Sequence, residues 1–186
     1  MGNVHTVDFM VVGAGMAGAS VAANLAEVGR VTVLEAEQHA GYHSTGRSAA
    51  IYAENYGNAA IRALTRASRP FLFEPPAGFA SVLLCSAREA VYFARADQLD
   101  ELRAFRADPD VLRATQELAV ADIAARIPLF REGYLAGGLL DRGAADLDVD
   151  AIHQGFLRQA RARGAGLHFE APVRALRRQD GLWIAT

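Results

Sequence analysis

The chain lacks several features that would point to particular classes of protein. It has one cysteine, Cys85, and no lysine. A single cysteine cannot form an intrachain disulfide, which fits a reducing compartment, and we interpret Cys85 as a small buried apolar residue. No apolar run reaches the roughly 20 residues of a transmembrane helix, and the N-terminus lacks the basic region and separate apolar stretch of a signal peptide. These absences predict a cytoplasmic protein.

The chain also lacks a large net charge, metal-ligand clusters and nucleophile motifs. The formal net charge is −2, which provides no electrostatic footprint for nucleic acid or an anionic membrane. All 19 basic residues are arginine, which together with the abundant alanine indicates a coding bias of the source. No His, Cys, Asp and Glu set has metal-ligand spacing, and no Gly-x-Ser-x-Gly elbow occurs. The remaining composition, 52% hydrophobic, is typical of a soluble globular protein.

The most specific pattern that is present lies between Val7 and Glu35. An apolar run precedes the turn Gly13-Ala14-Gly15-Met16-Ala17-Gly18, and a helix of about ten residues leads to a second apolar run that ends in an acid. Gly13 would permit the tight turn, Gly15 would let a pyrophosphate approach the backbone, and Gly18 would let the helix pack on the strand. The pattern predicts an adenine dinucleotide site.

The acid at the end of the second apolar run refines this prediction. Glu35 lies 17 positions after Gly18, where its carboxylate would accept hydrogen bonds from ribose hydroxyls and repel a 2′-phosphate, which argues against NADP. The amides and positive dipole end of the helix would face the phosphates. The glycine motif alone leaves FAD and NAD as alternatives.

The remaining chain alternates predicted helices and strands. Helical periodicity and caps predict helices over 58–73, 98–106, 117–126 and 151–163, and a helix that begins at Arg47 and runs through Tyr56. Apolar runs predict strands over 82–85, 90–93, 133–140, 167–169, 173–176 and 182–184, with a hairpin turn at Asp180-Gly181. Asp146 or Asp148 is expected to cap the last helix, and His153 is interpreted as a packing or capping histidine.

Two segments resemble the FAD-dependent D-amino-acid oxidase superfamily. They are 11–20, which contains the glycine turn, and 41–50, which reads Gly-Tyr-His-Ser-Thr-Gly-Arg-Ser-Ala-Ala. Segments 75–79 and 145–155 are also similar, and within the superfamily the resemblance is to the D-arginine dehydrogenases. The His-Ser-Thr-Gly-Arg stretch is far more specific than the glycine turn, and it favours FAD over NAD. The similarity covers essentially the whole chain but only about the N-terminal half of the family's fold.

The resemblance implies an α/β architecture with two parts. A Rossmann-like FAD-binding domain of the glutathione-reductase type would be formed by residues 1–79 and 141–186, and an inserted α+β substrate domain would begin within 80–140. Because the chain stops on the apolar run 182–186, we expect a fold truncated at its C-terminus.

The resemblance also implies contacts with FAD along the glycine turn, the second strand and the polar loop. These residues are Gly13, Gly15, Met16, Ala17, Gly18, Glu35, Ala36, His43, Ser44, Thr45, Gly46, Arg47, Ser48, Ala49 and Ala50, with the backbone of Val173 at the adenine. Phosphate or flavin contact and a structural salt bridge remain alternatives for Arg47.

For the substrate, the resemblance implies Tyr56 as a binding residue and departs from the family at two positions. Ile51 stands where the D-arginine dehydrogenases have a histidine, and Ala90 stands where they have the glutamate that pairs with the guanidinium, with Glu89 one residue away. Adjacent residues of a strand point to opposite faces of the sheet, so Glu89 would lie on the face opposite to Ala90. We therefore expect a neutral or apolar amino acid, with Glu89 as a partner for a cation only if the register shifts.

The implied reaction is oxidation of the Cα-amine of a D-amino acid to an imino acid, which hydrolyses to a 2-oxo acid and ammonia. Hydride passes to flavin N5, and the electron acceptor that reoxidises the flavin is unknown. No catalytic acid or base is assigned in this chain. One alternative is a non-catalytic flavin-binding module that needs a complementing C-terminal chain, which pairing of 182–186 with a separate polypeptide would indicate. A second alternative is an NAD-dependent dehydrogenase.

Overall fold

The computed structural model describes residues 5–186, which form two compact units. The first unit takes the residues up to Ser48 together with Pro76–Leu84 and Asp148–Thr186. The second unit takes Ala49–Pro75 and Cys85–Leu147. Each unit is therefore built from segments that are distant in sequence.

The strands and helices of the described residues alternate along the chain. The strands are β1 (Phe9–Val12), β2 (Val31–Leu34), β3 (Ile51–Tyr52), β4 (Cys85–Ala87), β5 (Ala90–Ala94), β6 (Thr115–Leu118), β7 (Gly137–Asp141), β8 (Ala145–Leu147), β9 (Gly166–His168), β10 (Leu176–Gln179) and β11 (Leu182–Ala185). The helices are α1 (Met16–Leu25), α2 (Ala59–Phe73), α3 (Leu99–Ala107), α4 (Pro109–Ala114), α5 (Val120–Arg126) and α6 (Val149–Ala162).

The first unit is organised around a parallel sheet in the order β1-β2-β9. Helix α1 connects β1 to β2, and it packs against α6. The contact is close because the facing residues are small, and the core holds Ala14, Ala22, Ala23, Val31, Val33, Ala160 and Ala165. This packing places the N-terminus of α1 at the carboxyl ends of the parallel strands, where α/β folds bind their ligands.

A β-hairpin, β10–β11, follows the parallel sheet. Its turn is Asp180-Gly181, with positive φ values of 51° and 80°, which are required in a type I′ turn. The predicted hairpin is confirmed, and β11 pairs with β10 in antiparallel fashion. The strand predicted over 173–176 instead begins at Leu176, so Val173 lies in the segment before the hairpin.

The second unit contains two antiparallel sheets, β3-β8-β4 and β5-β7-β6. Leu118, Ile123 and Leu140 form a buried cluster around β7, with Val91, Phe130 and Leu135 packed against it. Residues 49–75 belong to this unit because β3 pairs with β8. The unit boundaries therefore differ from the expected ones at 79 and 140. The assignment of substrate binding to this unit remains a proposal.

Three predicted helices are confirmed: 58–73 as α2, 98–106 as α3 and 151–163 as α6. Asp148, one of the two candidate caps of α6, accepts a hydrogen bond through Oδ1 from the amide of Ala151 at 2.8 Å. The other candidate, Asp146, lies in β8. None of the helices within residues 5–186 is both long and apolar enough to cross a membrane.

Predictions were wrong where pairing with a distant strand decided the structure. The segment from Arg47 to Tyr56 is not a helix: a 3-10 turn, Thr45–Arg47, is followed by β3. The helix expected over 117–126 begins only at Val120, because β6 pairs with β7. The strands expected over 82–85 and 133–140 lie further along the chain, as β4 and β7, because β4 pairs with β8 and β7 pairs with β5 and β6.

Candidate functional site

The glycine turn after β1 depends on two glycines for its shape. Gly13 has φ +93°, a conformation that strains any residue with a Cβ, and its amide donates to the carbonyl of Leu34 at 2.8 Å. At Gly18, a Cβ would overlap the carbonyl oxygen of Gly13. The tight turn and the close packing of helix on strand, both predicted from the sequence, are therefore confirmed as features of the backbone.

The N-terminus of α1 has the properties of an anion site. Gly15 is the N-cap and offers no side-chain cap, and the first turn contains no acidic residue. The hydroxyl of Thr45 accepts a hydrogen bond from the amide of Met16 at 3.0 Å, and a Cβ on Gly15 would lie 3.2 Å from that oxygen. Ala17 is exposed on the same turn. Free amides and the helix dipole favour negative charge at such an end.

Glu35 lies beside this turn, at the end of β2. Its carboxylate is 9% exposed and accepts hydrogen bonds from the amides of Ala14 at 2.7 Å and Glu37 at 3.0 Å. These bonds hold the side chain against the glycine turn, with Ala36 immediately after it. A carboxylate has about four lone-pair sites, so two remain for hydroxyl donors such as those of a ribose.

Val173 is placed near the end of β2 by backbone pairing. The amide of Ala171 donates to the carbonyl of Glu35 at 2.8 Å, and the amide of Glu170 donates to the carbonyl of Glu37 at 3.1 Å. Val173 follows two residues later and is half-buried. The structure therefore brings this segment and the Glu35 segment together.

The polar loop 41–48 is held by its own backbone. Gly41 has φ +77°, and its carbonyl accepts from the amide of Gly46 at 2.7 Å. Nε2 of His43 lies 2.8 Å from a carboxylate oxygen of Glu37. Ser44 and Ser48 flank the 3-10 turn and are exposed, so their hydroxyls are accessible.

Arg47 has an aromatic contact in this loop. Its guanidinium carbon lies 5.5 Å from the centroid of the Tyr42 ring, and the side chain is exposed. No salt bridge of Arg47 is found within residues 5–186, and its role at a cofactor stays a prediction.

Ala49 and Ala50, the last residues of the expected cofactor segment, belong to the second unit, where the carbonyl of Ala50 accepts from the amide of Leu147.

His153 is a residue of the glycine-turn region that sequence reasoning assigned only to packing or capping. It is 2% exposed, which agrees with packing. Its Nε2 also lies 2.7 Å from the carbonyl oxygen of Ala14. The sequence carries no signal for this contact, because 139 positions separate the two residues.

The expected substrate residues lie in the second unit. Tyr56 is 74% exposed and Ile51, in β3, is 46% exposed. Glu89 precedes β5 and lies 3.3 Å from Nη1 of Arg126 and 3.6 Å from Nη1 of Arg142. The carboxylate of Glu89 therefore already has two cationic partners.

The residue before Tyr56 anchors a buried polar network that the sequence did not indicate. Asn55 is 1% exposed; its amide donates to Oδ2 of Asp141 at 3.0 Å, and its carbonyl oxygen accepts from the hydroxyl of Tyr92 at 2.7 Å. Burial raises the pKa of Tyr92, and the nearby Asp141 carboxylate raises it further. Through Asn55, strands β5 and β7 hold the start of the loop that carries Tyr56.

Among residues 5–186, no group of three or more His, Cys, Asp or Glu side chains is arranged to hold a metal ion.

Comparisons with known proteins agree with this geometry. The family model DAO, described as FAD dependent oxidoreductase, matches residues 8–186. Similar solved structures include glycine oxidase from Geobacillus kaustophilus, with a TM-score of 0.81 and 19% identity over 98% of this chain and 51% of that one. L-alpha-glycerophosphate oxidase from Mycoplasma pneumoniae with FAD bound has a TM-score of 0.80 and 14% identity over 98% and 50%.

Iminodiacetate oxidase from Chelativorans sp. BNC1 is also similar, with a TM-score of 0.73 and 23% identity over 95% of this chain and 50% of that one. At these identities the likeness shows the fold alone, which is mixed α/β. The chain spans about half the length of these solved structures.

Proposed function

Because this chain belongs to the DAO family of FAD-dependent oxidoreductases, we propose that it provides the flavin site of an enzyme that oxidises the Cα-amine of a D-amino acid. The product is an imino acid, which water hydrolyses to a 2-oxo acid and ammonia. The observation that supports this proposal is the N-terminus of α1, which has no side-chain cap at Gly15 and no acid in its first turn, and which lies next to the segment that Glu35 holds through the amide of Ala14.

The residues of the first unit fit FAD. The open amides of α1, with no acid in the first turn, suit a pyrophosphate, and the remaining acceptor sites of Glu35 suit the adenosine ribose. The space above Gly15 is one that a side chain would fill. We assign the pyrophosphate to Gly13, Gly15, Met16, Ala17 and Gly18, and the ribose to Glu35 and Ala36.

The polar loop and the β2 edge complete the proposed cofactor contacts. The loop supplies hydroxyls, amides and one guanidinium beside the pyrophosphate, ribityl chain and flavin ring: His43, Ser44, Thr45, Gly46, Arg47, Ser48, Ala49 and Ala50. The backbone of Val173 meets the adenine. When bound, FAD would supply the two-electron acceptor for oxidation of the substrate. The protein residues bind and orient the reactants.

For the substrate we propose a D-amino acid with a neutral or apolar side chain, bound with help from Tyr56. Ile51 is apolar where the similar D-arginine dehydrogenases have a histidine, and Ala90 replaces their glutamate. The two arginines that pair with Glu89 support this choice. A substrate guanidinium would have to displace them to gain a carboxylate partner, and an unpaired buried charge costs several kcal/mol, about 2–5.

The test combines a flavin spectrum with anaerobic reduction. The purified protein is expected to be yellow, and D-alanine or D-leucine should bleach the flavin bands faster than D-arginine does. Glycine, L-leucine and glycerol 3-phosphate serve as comparison substrates. Strongest bleaching by D-arginine would contradict the assigned side-chain class, and strongest bleaching by an L-amino acid would contradict the D-configuration. A colourless protein that takes up no added FAD would contradict the flavin site itself.

A second candidate function is a flavin-binding module that another chain completes. The sheet β1-β2-β9 favours it, because β1 is one of its two edge strands and Val12 at the end of β1 is 54% exposed. An edge strand has unpaired backbone groups, with which a strand of another chain can pair. The run 182–186, whose pairing with a separate polypeptide would have indicated such a module, pairs through β11 with β10 of this chain. Bleaching of the flavin by substrate in this chain alone would exclude the module.

A further inference from the structure

Two side chains hold the backbone of the glycine turn at Ala14. Ala14 is fully buried between the two glycines of the turn. Its amide donates to Oε2 of Glu35 at 2.7 Å, and its carbonyl oxygen lies 2.7 Å from Nε2 of His153. Both polar backbone groups of Ala14 are therefore held by side chains, one from the end of β2 and one from α6.

The chemistry of this contact defines the state of the imidazole. A carbonyl oxygen only accepts hydrogen bonds, so Nε2 of His153 carries the hydrogen and donates. The imidazole is 2% exposed, and a carbonyl left without a donor at this depth would cost far more than the same group in water. The bond thus selects the backbone conformation in which the Ala14 carbonyl points towards α6.

His153 also contacts the polar loop. A Cβ on Gly41 would lie 2.9 Å from Cε1 and 3.1 Å from Nδ1 of His153, so the loop backbone lies directly against the imidazole. The carbonyl of Gly41 accepts from Gly46, and Thr45 of the same loop accepts from the amide of Met16. One side chain therefore touches both the glycine turn and the loop that supplies Thr45 to the N-terminus of α1.

We propose that His153 is a positioning residue for the FAD pyrophosphate. It holds the Ala14 peptide and the Gly41 backbone so that the glycine turn and the polar loop are already in place before the cofactor arrives. A turn ordered in advance loses less entropy on binding, which raises affinity without any contact to the ligand. This inference rests on the proposed placement of FAD at the turn and is independent of the substrate.

The test compares substitutions of His153 that remove, keep or shorten the reach of its N–H donor. His153→Leu removes the hydrogen bond at similar volume, whereas His153→Gln keeps an N–H that reaches about as far as Nε2. We expect the dissociation constant for FAD, measured by flavin fluorescence on the apoprotein, to rise roughly tenfold or more in His153→Leu. His153→Gln should restore most of the affinity. His153→Asn, whose amide is one methylene shorter, should not restore it.

A matched control separates positioning from general stability. Ile152→Val trims a neighbouring buried apolar residue of α6 and lowers the unfolding midpoint of the apoprotein without removing a donor. Its FAD affinity should stay within about twofold of wild type.

Three results would overturn the inference. The first is unchanged affinity in His153→Leu, the second is a loss that Ile152→Val matches at equal stability, and the third is His153→Gln binding as weakly as His153→Leu. If His153→Leu does not fold, the comparison of His153→Gln with His153→Asn gives the same decision. A wild-type protein that binds no FAD would overturn the proposed function together with this inference, which is a different outcome from weak binding in the variants alone.

Discussion

At the scale of single residues, the site is defined by places where side chains are absent as much as by those present. Gly18 has no room for a Cβ next to the carbonyl of Gly13, and Gly13 adopts a φ that favours glycine. Gly15 differs from both, because a Cβ there would meet only Thr45 Oγ1, at 3.2 Å. A side chain here would press on the hydroxyl that accepts from the amide of Met16, and in the proposed site it would also enter the space of the pyrophosphate.

This difference gives the first prediction, for Gly15→Val. The valine methyls would occupy the space assigned to the pyrophosphate, so the variant should fold and lose bound flavin, at least tenfold in affinity. The measurement is the flavin-to-protein absorbance ratio after desalting. Gly143→Val is the control, since Gly143 is exposed and its Cβ would meet nothing closer than 3.4 Å. Full flavin content in Gly15→Val would refute the cofactor placement.

Tyr52 gives a second prediction at this scale. It is 2% exposed and donates to Oε1 of Glu54 at 2.6 Å. Burial, with that hydrogen bond and the charge of Glu54, raises the pKa of Tyr52 to about 12. A raised folded-state pKa gives stability that is complete below the unfolded value, about 10, and that is lost as pH rises through the folded value.

Alkaline unfolding should therefore be less steep in Tyr52→Phe. Between about pH 10 and pH 12, wild type should lose roughly 1 kcal/mol more free energy of unfolding per pH unit than the variant. Urea titrations at pH 8 and pH 11 give the comparison, with Tyr56→Phe as an exposed-tyrosine control. Equal losses in Tyr52→Phe and wild type would show that Tyr52 ionises normally in the folded protein.

At the scale of elements, α6 connects the segment that contains its cap, Asp148, with the glycine turn. It begins at Asp148, whose amide donates to the carbonyl of Leu84 at 2.8 Å and whose side chain caps Ala151. One turn later it carries His153 to Ala14. The cap at Asp148 and the contact of His153 with Ala14 therefore lie within the first turns of the same helix.

The third prediction concerns this cap. Asp148→Ala should lower the free energy of unfolding by about 1 kcal/mol, because the amide of Ala151 loses its acceptor, whereas Asp148→Ser should retain most of the stability. Chemical denaturation of the apoprotein measures both. Asp146→Ala, in β8, removes a carboxylate that is not a cap and serves as the control. Equal stability of Asp148→Ala and Asp148→Ser would contradict the capping role.

At the scale of the whole molecule, the proposed cofactor contacts lie in the first unit, apart from Ala49 and Ala50, and the proposed substrate contacts lie in the second. The glycine turn, Glu35 and the loop up to Ser48 lie in the first unit, and Tyr56, Ile51 and Glu89 lie in the second. Each unit has its own core and its own sheets. Variants in one unit should therefore affect one property and leave the other intact.

Tyr56→Phe provides the fourth prediction. It should retain as much FAD as wild type, because Tyr56 lies outside the first unit. The rate of anaerobic flavin bleaching by a D-amino acid should fall about tenfold or more, since a hydrogen bond to a charged substrate group is lost. Stopped-flow absorbance measures the rate, and Tyr134→Phe in the same unit is the control. An unchanged rate would remove Tyr56 from the proposed substrate site.

The sequence by itself determined the features that are encoded locally. The glycine turn, the acid after β2, the capping of α6 by one of two aspartates and the Asp180-Gly181 hairpin each depend on the conformation of a few consecutive residues, so residue type and spacing suffice to predict them. The motif at residues 41–50 predicted the family of FAD-dependent oxidoreductases, which the match over residues 8–186 confirms. These features together predict the candidate cofactor site.

Only the tertiary structure decided the features that depend on distant partners. β3 replaced an expected helix because it pairs with β8, and β6 shortened another because it pairs with β7. Glu89 acquired two arginine partners, and His153 reached Ala14 across 139 positions. Propensity is a weak local preference of a few tenths of a kcal/mol per residue, roughly 0–0.7, whereas strand pairing and burial are set by whichever segments the fold brings together.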